Sequence, residues 1–126
     1  MPRVLVVDDD AVLADMIKVQ LQHAGFMVNL AADGVEGLNL LSSLSPQVVL
    51  LDTAMPRLDG LGVLDEVRRT PKLAQTPMIM MTARGKAADV QAAVSRGATD
   101  YLVKPFSFDE LLRKVRRAMP PSAQLA

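Results

Sequence analysis

Three short runs of this chain, at 4–7 (VLVV), 48–51 (VVLL) and 78–81 (MIMM), are apolar at every position, and a polar residue follows each of them at once. A strand with one wet face alternates apolar and polar residues. A strand that is apolar throughout must be covered on both faces, as in a parallel sheet flanked by helices. Two further β-rich runs, at 27–30 and 101–103, complete a set of five, and longer segments with helical spacing separate them. Five alternations of strand and helix, joined by right-handed crossovers, predict an open, doubly wound α/β sheet.

The intervening segments carry start and stop signals. Asp10 is placed to cap a first helix with Leu13, Met16, Ile17 and Leu21 on one stripe, and Gly25 is placed to end it. Asp33 can cap a second helix bearing Val35, Leu38 and Leu41. A third is predicted over 60–70, stopped by Pro71, and a fourth over 86–96, stopped by Gly97. Ser107 and Glu110 form a capping-box pattern, with Phe108, Leu111, Leu112, Val115 and Met119 at helical spacing before Pro120 and Pro121. A length of 126 residues, half of them hydrophobic, suits one core. The expected organisation is one domain over 1–119, with 120–126 as a tail or the start of a linker.

Composition narrows the functional classes. Lys plus Arg and Asp plus Glu both number 14, so the totals call for neither nucleic acid nor an anionic membrane. Without cysteine there is no disulfide framework, thiolate nucleophile or thiolate metal site. The opening MPRVLVV lacks a signal-peptide pattern, and no apolar run approaches the roughly 20 residues that span a bilayer. A soluble, cytoplasmic protein is expected.

Chemistry is concentrated where the apolar runs end, with Asp8, Asp9 and Asp10 after the first, Asp52 after the third, Thr82 after the fourth and Lys104 after the fifth. Ligands of open α/β sheets bind beyond the carboxyl ends of the strands, where the winding reverses. If the first and third strands are neighbours, Asp8, Asp9 and Asp52 converge, and three carboxylates held together require a compensating cation. An all-oxygen cluster selects a hard ion, Mg²⁺ or alternatively Mn²⁺ or Ca²⁺, and Mg²⁺ readily takes phosphate oxygens. Asp52, alone after VVLL and ahead of TAMP, is the candidate phosphoryl acceptor, its carboxylate becoming an acyl phosphate. Lys104 can neutralise one phosphoryl oxygen and the Thr82 hydroxyl can donate to another.

The ordered set VLVVDDD, VVLLDTAMP, MIMMTA and DYLVKPF closely resembles the receiver domain of two-component response regulators, over about residues 3 to 119. The resemblance implies a five-stranded, flavodoxin-like sheet in the order 2-1-3-4-5 and a cis Lys104-Pro105 bond. It implies Asp52 as phosphoacceptor, with Mg²⁺ bound by Asp9, Asp52 and the Ala54 backbone carbonyl, and with Asp8 acting mainly through water. Thr82 and Lys104 would contact the phosphoryl group, and Tyr101 would be an aromatic switch that follows Thr82 and alters the surface of the fourth helix, fifth strand and fifth helix. The implied donor is a histidine kinase or histidine phosphotransfer protein, and the output is a downstream partner or a fused domain. Ala54 and Arg84, two residues beyond Asp52 and Thr82, would tune access of water to the acyl phosphate.

Blander readings compete at several positions. Tyr101 is also a plausible half-buried strand aromatic, and Asp59 reads as a helix cap. The methionines read as core filler, and His23 reads as a helix-end residue. The run Arg113, Lys114, Arg116 and Arg117 suits the last turns of a helix better than a DNA contact. Val90, Ser95 and Thr99 stand where receivers that pair through these elements carry charge, which argues against a dimerising transcription factor. A phosphatase acting on external substrates would need a cap insertion or lid loop, which is absent. A nucleotide- or flavin-binding module would need a glycine-rich loop where DDDAVLAD stands. The expected role is therefore a non-enzymatic phosphoacceptor that catalyses only its own Mg²⁺-dependent phosphorylation and dephosphorylation.

Overall fold

The computed structural model describes residues 1–55, 57–83 and 87–121. Strands β1 (Arg3–Val7), β2 (Met27–Ala31), β3 (Val48–Asp52), β4 (Met78–Ala83) and β5 (Asp100–Lys104) alternate with helices α1 (Ala11–His23), α2 (Gly34–Leu44), α3 (Gly60–Arg69), α4 (Ala87–Ser95) and α5 (Phe108–Ala118). The strands form one parallel sheet in the order β2-β1-β3-β4-β5. The winding therefore reverses between β1 and β3, which places the ends of those two strands side by side.

The all-apolar runs are buried on both faces, and side-chain parity assigns each residue to one of two cores. Val4 and Val6, Val48 and Leu50, Ile79 and Met81, and Leu102 pack with Ile17 and Leu21 of α1 and with Leu111 and Val115 of α5. The alternate residues Leu5, Val7, Val49, Leu51, Met78 and Met80 pack with Leu41 of α2, Val63, Leu64 and Val67 of α3, and Ala93 of α4. Successive strand residues point to opposite faces, so the same parity rule decides which way the residues at the strand ends face.

The caps form as expected. Asp10 accepts the backbone N–H of Leu13, Asp33 that of Glu36 and Ser107 that of Glu110. Gly25 follows the end of α1 with φ +98°. The expected inward stripes need correction. In α1 the buried positions are Ala14, Ile17 and Leu21, while Met16 is 48% exposed. In α2 they are Gly34, Gly37 and Leu41, while Val35 is 46% exposed. Both helices lie on the sheet along an i, i+3, i+7 line of small and large residues, and a search for large apolar side chains finds a stripe rotated off that line. Met78, Met80 and Met81 are core residues, whereas Met16 and Met27 are exposed. The expected start of α4 at Lys86, the flanking residue Arg84 and the tail 122–126 lie outside the described residues.

The loop from β3 to α3 is set by close backbone approach. A Cβ on Gly60 would lie 2.1 Å from the Asp52 carbonyl oxygen and 2.8 Å from the Thr53 Cα. A Cβ on Gly25 would meet nothing within 4 Å. Gly60→Ala should therefore cost about 3 kcal/mol, because backbone must move. Gly25→Ala should cost only about 1 kcal/mol, from its positive φ. Urea denaturation of both variants checks this, and equal losses would contradict the close-approach argument.

Candidate functional site

The sequence places the candidate residues just beyond their strands, but in the structure Asp52, Thr82 and Lys104 still belong to β3, β4 and β5. Their backbones remain in register, Asp52 with Met81, Thr82 with Val103 and Lys104 with Ala83. The ladders run one or two residues past the last apolar side chain because backbone pairing does not depend on side-chain polarity. These three candidate side chains are thus held by sheet rather than by loop.

By parity, Asp8, Asp52 and Lys104 continue the series that faces α1 and α5, and the structure brings them together. Asp8 is buried, with one carboxylate oxygen accepting the Asp10 N–H at 2.8 Å and the other accepting from Lys104 Nζ at 2.9 Å. Asp52 is 6% exposed and accepts the Ala54 N–H at 3.2 Å. Lys104 Nζ stands 3.5 Å from the same Asp52 oxygen. Asp9 is exposed at the rim. Asp8, Asp9 and Asp52 each offer one carboxylate oxygen, and these oxygens lie within 4.8 Å of one another. A groove of about 500 Å³ opens beside them, lined by Asp9, Ala54, Met55, Asp59 and Asp89 among others.

The electrostatics follow from this crowding. Burial, and then the charge of Asp8, push the Asp52 carboxyl up to about 6 despite the Ala54 N–H and Lys104. Burial works against the Lys104 ammonium, but its hydrogen bond to Asp8 and the charges of Asp52 and Asp8 outweigh that effect and hold its pKa above the usual value. Among the described residues, three carboxylates against one ammonium leave the cluster short of positive charge. An all-oxygen donor set of this span fits a hard divalent cation such as Mg²⁺.

Thr82 and Tyr101 have the opposite parity and face α4. The Thr82 hydroxyl is buried and has no hydrogen-bond partner among the described residues, an arrangement that normally requires explanation by a ligand or an alternative state. Tyr101 is 38% exposed. Both line a cavity of about 370 Å³ together with Ala87, Val90 and Gln91. The Lys104-Pro105 bond is cis. Asp59 caps α3 by accepting the Gly62 N–H.

The sequence did not single out three further contacts. Arg57, at φ +68°, pairs with Asp33 and so ties the β3-α3 loop to the start of α2. The Glu36 N–H and the Arg57 guanidinium hold the Asp33 carboxyl below its usual value, against the effect of burial. Lys114 and Arg117 of α5 converge on Asp100 of β5. These pairs join residues 24, 14 and 17 positions apart, beyond any local spacing rule. Thr99, noted for its missing charge, accepts the Met78 N–H and fastens the start of β4.

A carboxyl whose pKa is raised in the folded state makes stability fall as pH rises from its unfolded value toward its folded value. Asp52→Asn should therefore stabilise the metal-free protein by about 1–2 kcal/mol above pH 6, partly offset by the lost Lys104 contact, with the gain vanishing near pH 4. Urea midpoints of both proteins across this range, in chelator, check the sign. A gain that persists at pH 4 would contradict it.

The description "response regulator receiver domain" belongs to the family profile that matches residues 4–116. The DNA-binding dual master transcriptional regulator RpaA of Synechocystis is 40% identical over 116 residues, 92% of this chain and 48% of that protein. Response regulator MprA of a Mycobacterium strain is 43% identical over 114 residues, 90% of this chain and 49% of that protein. The chain spans about half the length of these curated relatives. Among solved structures, the chemotaxis response regulator CheY4 of Vibrio cholerae superposes with a TM-score of 0.88 at 34% identity, covering 94% of this chain and 99% of that one. The receiver domain of Francisella response regulator 1452 gives 0.86 at 36% identity, covering 94% and 96%. With its sheet order, its clustered carboxylates and a family match over nearly its whole length, this chain belongs to the receiver domains of response regulators.

Proposed function

We propose that this chain is a phosphoacceptor switch in which Asp52 takes a phosphoryl group from a histidine kinase or histidine phosphotransfer protein. The observation that carries this reading is the pairing of one half-buried lysine with two buried carboxylates at the strand ends where a buried threonine hydroxyl has no partner among the described residues. In the transfer, an Asp52 carboxylate oxygen attacks phosphorus, the bond from phosphorus to the donor nitrogen breaks, and the imidazole leaves with its electron pair and is protonated. The product is an acyl phosphate. Lys104 holds its ammonium proton across neutral pH and can pass from the carboxylates to a phosphoryl oxygen. Thr82 donates its unused O–H to another.

Mg²⁺ held by Asp9, Asp52 and the Ala54 carbonyl, with Asp8 acting mainly through water, would neutralise the negative charge shared by the cluster and the incoming phosphoryl oxygens. Reorientation of Thr82 toward the phosphoryl group frees space beside Tyr101, whose ring moves inward. This is a population shift between two packings of the surface formed by α4, β5 and α5. Output is a binding event there, made by a partner or by an output domain of a longer protein. Residues 1–119 form the phosphoacceptor domain, with 120–126 as tail or linker, and the domain contacts neither nucleic acid nor membrane. Among the described residues no helix is long and apolar enough to cross a membrane, and a cytoplasmic location suits a partner that is a kinase. Turnover is confined to the chain's own phosphate.

Incubation with acetyl phosphate and Mg²⁺, followed by intact mass measurement, tests the reading. One phosphoryl increment is expected, absent in Asp52→Asn and in chelator. An unchanged mass with every small phosphodonor would instead favour an interaction module that works unphosphorylated.

A further inference from the structure

The α5 lysine at position 114 serves no role in the phosphoacceptor cluster, yet its surroundings are highly specific. Its ammonium lies 4.7 Å from the centroid of the Tyr101 ring, donates to the Tyr101 carbonyl oxygen and stands 3.4 Å from an Asp100 carboxylate oxygen. The Lys114 and Asp100 side chains are 13% and 17% exposed, so their attraction is shielded from water. Asp100 also accepts from Arg117 at 2.7 Å and from the Tyr101 backbone N–H at 2.8 Å. Burial opposes the Asp100 charge, but Arg117, the Tyr101 N–H and Lys114 outweigh it and hold this carboxyl below its usual range.

On the other side of Tyr101 lies the cavity of about 370 Å³ that it shares with Thr82, Ala87, Val90 and Gln91. The ring therefore has two environments within reach, one under a cation and one against apolar helix. A cation above a ring face is attracted by the ring quadrupole, and the attraction fades within a few ångströms. The ion pair of Lys114 with Asp100 and its bond to the Tyr101 carbonyl fix the ammonium in place whichever way the ring turns, so the ring contact is made only in the outward state. A contact present in one state and absent in the other is what biases a two-state equilibrium.

We propose that Lys114 is a positioning residue that holds the Tyr101 ring outward, under its ammonium rather than within the cavity that the ring lines with Thr82, and so sets the resting poise of the switch. This rests on the reading of Tyr101 as a switch. A purely structural lysine would change stability but not the balance between the two ring positions.

The chain has one tyrosine and no tryptophan, so tyrosine emission reports Tyr101 alone. The test is acrylamide quenching of that emission in wild type, Lys114→Met and Lys114→Arg, each before and after acetyl phosphate with Mg²⁺. Methionine keeps an apolar stem of similar length without the charge, and arginine keeps the charge over the ring. In wild type, quenching should fall on phosphorylation. Unphosphorylated Lys114→Met should already be partly protected, its inward-to-outward ratio raised roughly threefold to tenfold, with Lys114→Arg close to wild type. Wild-type quenching that responds to phosphate, together with Lys114→Met indistinguishable from wild type, overturns the latch and leaves the switch standing. Wild-type quenching that ignores phosphate, under conditions where the mass increment is present, overturns the switch and the latch with it. Should Lys114→Met fail to fold, Asp100→Asn, which releases the anchor of Lys114, is read in the same way, and unaltered resting quenching there overturns the proposal.

Discussion

Three carboxylates crowded at one edge of the sheet are the constraint around which this site is arranged. Asp8 and Asp52 are both buried, Asp9 stands beside them and, among the described residues, a single ammonium, Lys104, bridges the two buried ones. Burying like charges is costly, and one lysine does not balance three acids. The cluster persists because each member is fixed by something else. Asp52 and Lys104 sit in paired strands, Asp8 is anchored by the Asp10 N–H, and the backbone of the β3-α3 loop closes against Gly60. The residual charge imbalance, in an all-oxygen donor set, fits a hard divalent cation.

Strand parity divides the work. Asp8, Asp52 and Lys104 continue the side of the sheet covered by α1 and α5, whereas Thr82, Tyr101 and Val103 continue the side that faces α4. The acidic cluster and the cavity beside α4 are therefore on opposite sides of one sheet, with Thr82 near the boundary. The exposed face of β5 and α5 is held by Asp100 with Lys114 and Arg117, so the electrostatics of this face are local and distinct from those of the acidic cluster.

Membership of the receiver family is secured by the match over 4–116 and by solved neighbours of the same sheet order. The relatives RpaA and MprA are about twice as long as this chain.

The sequence by itself determined the layer order and which polar residues gather at one edge of the sheet. Runs apolar at every position demand a doubly covered sheet, and polar residues can terminate them only at an edge, so Asp8, Asp9, Asp52, Thr82 and Lys104 were legible as one group. Caps at Asp10, Asp33 and Ser107 were legible too, because they act over three residues. Tertiary structure alone decided the rest. Helix rotation on the sheet is set by where small residues allow close approach, which turned Met16 and Val35 outward and Ala14 and Gly37 inward. The pairing of Lys114 with Tyr101 and Asp100, of Arg57 with Asp33, and the orphaned hydroxyl of Thr82 depend on distances between elements remote in sequence. Periodicity is a local property of the chain, whereas electrostatic contact is a property of the assembled sheet and helices, and no spacing rule converts one into the other.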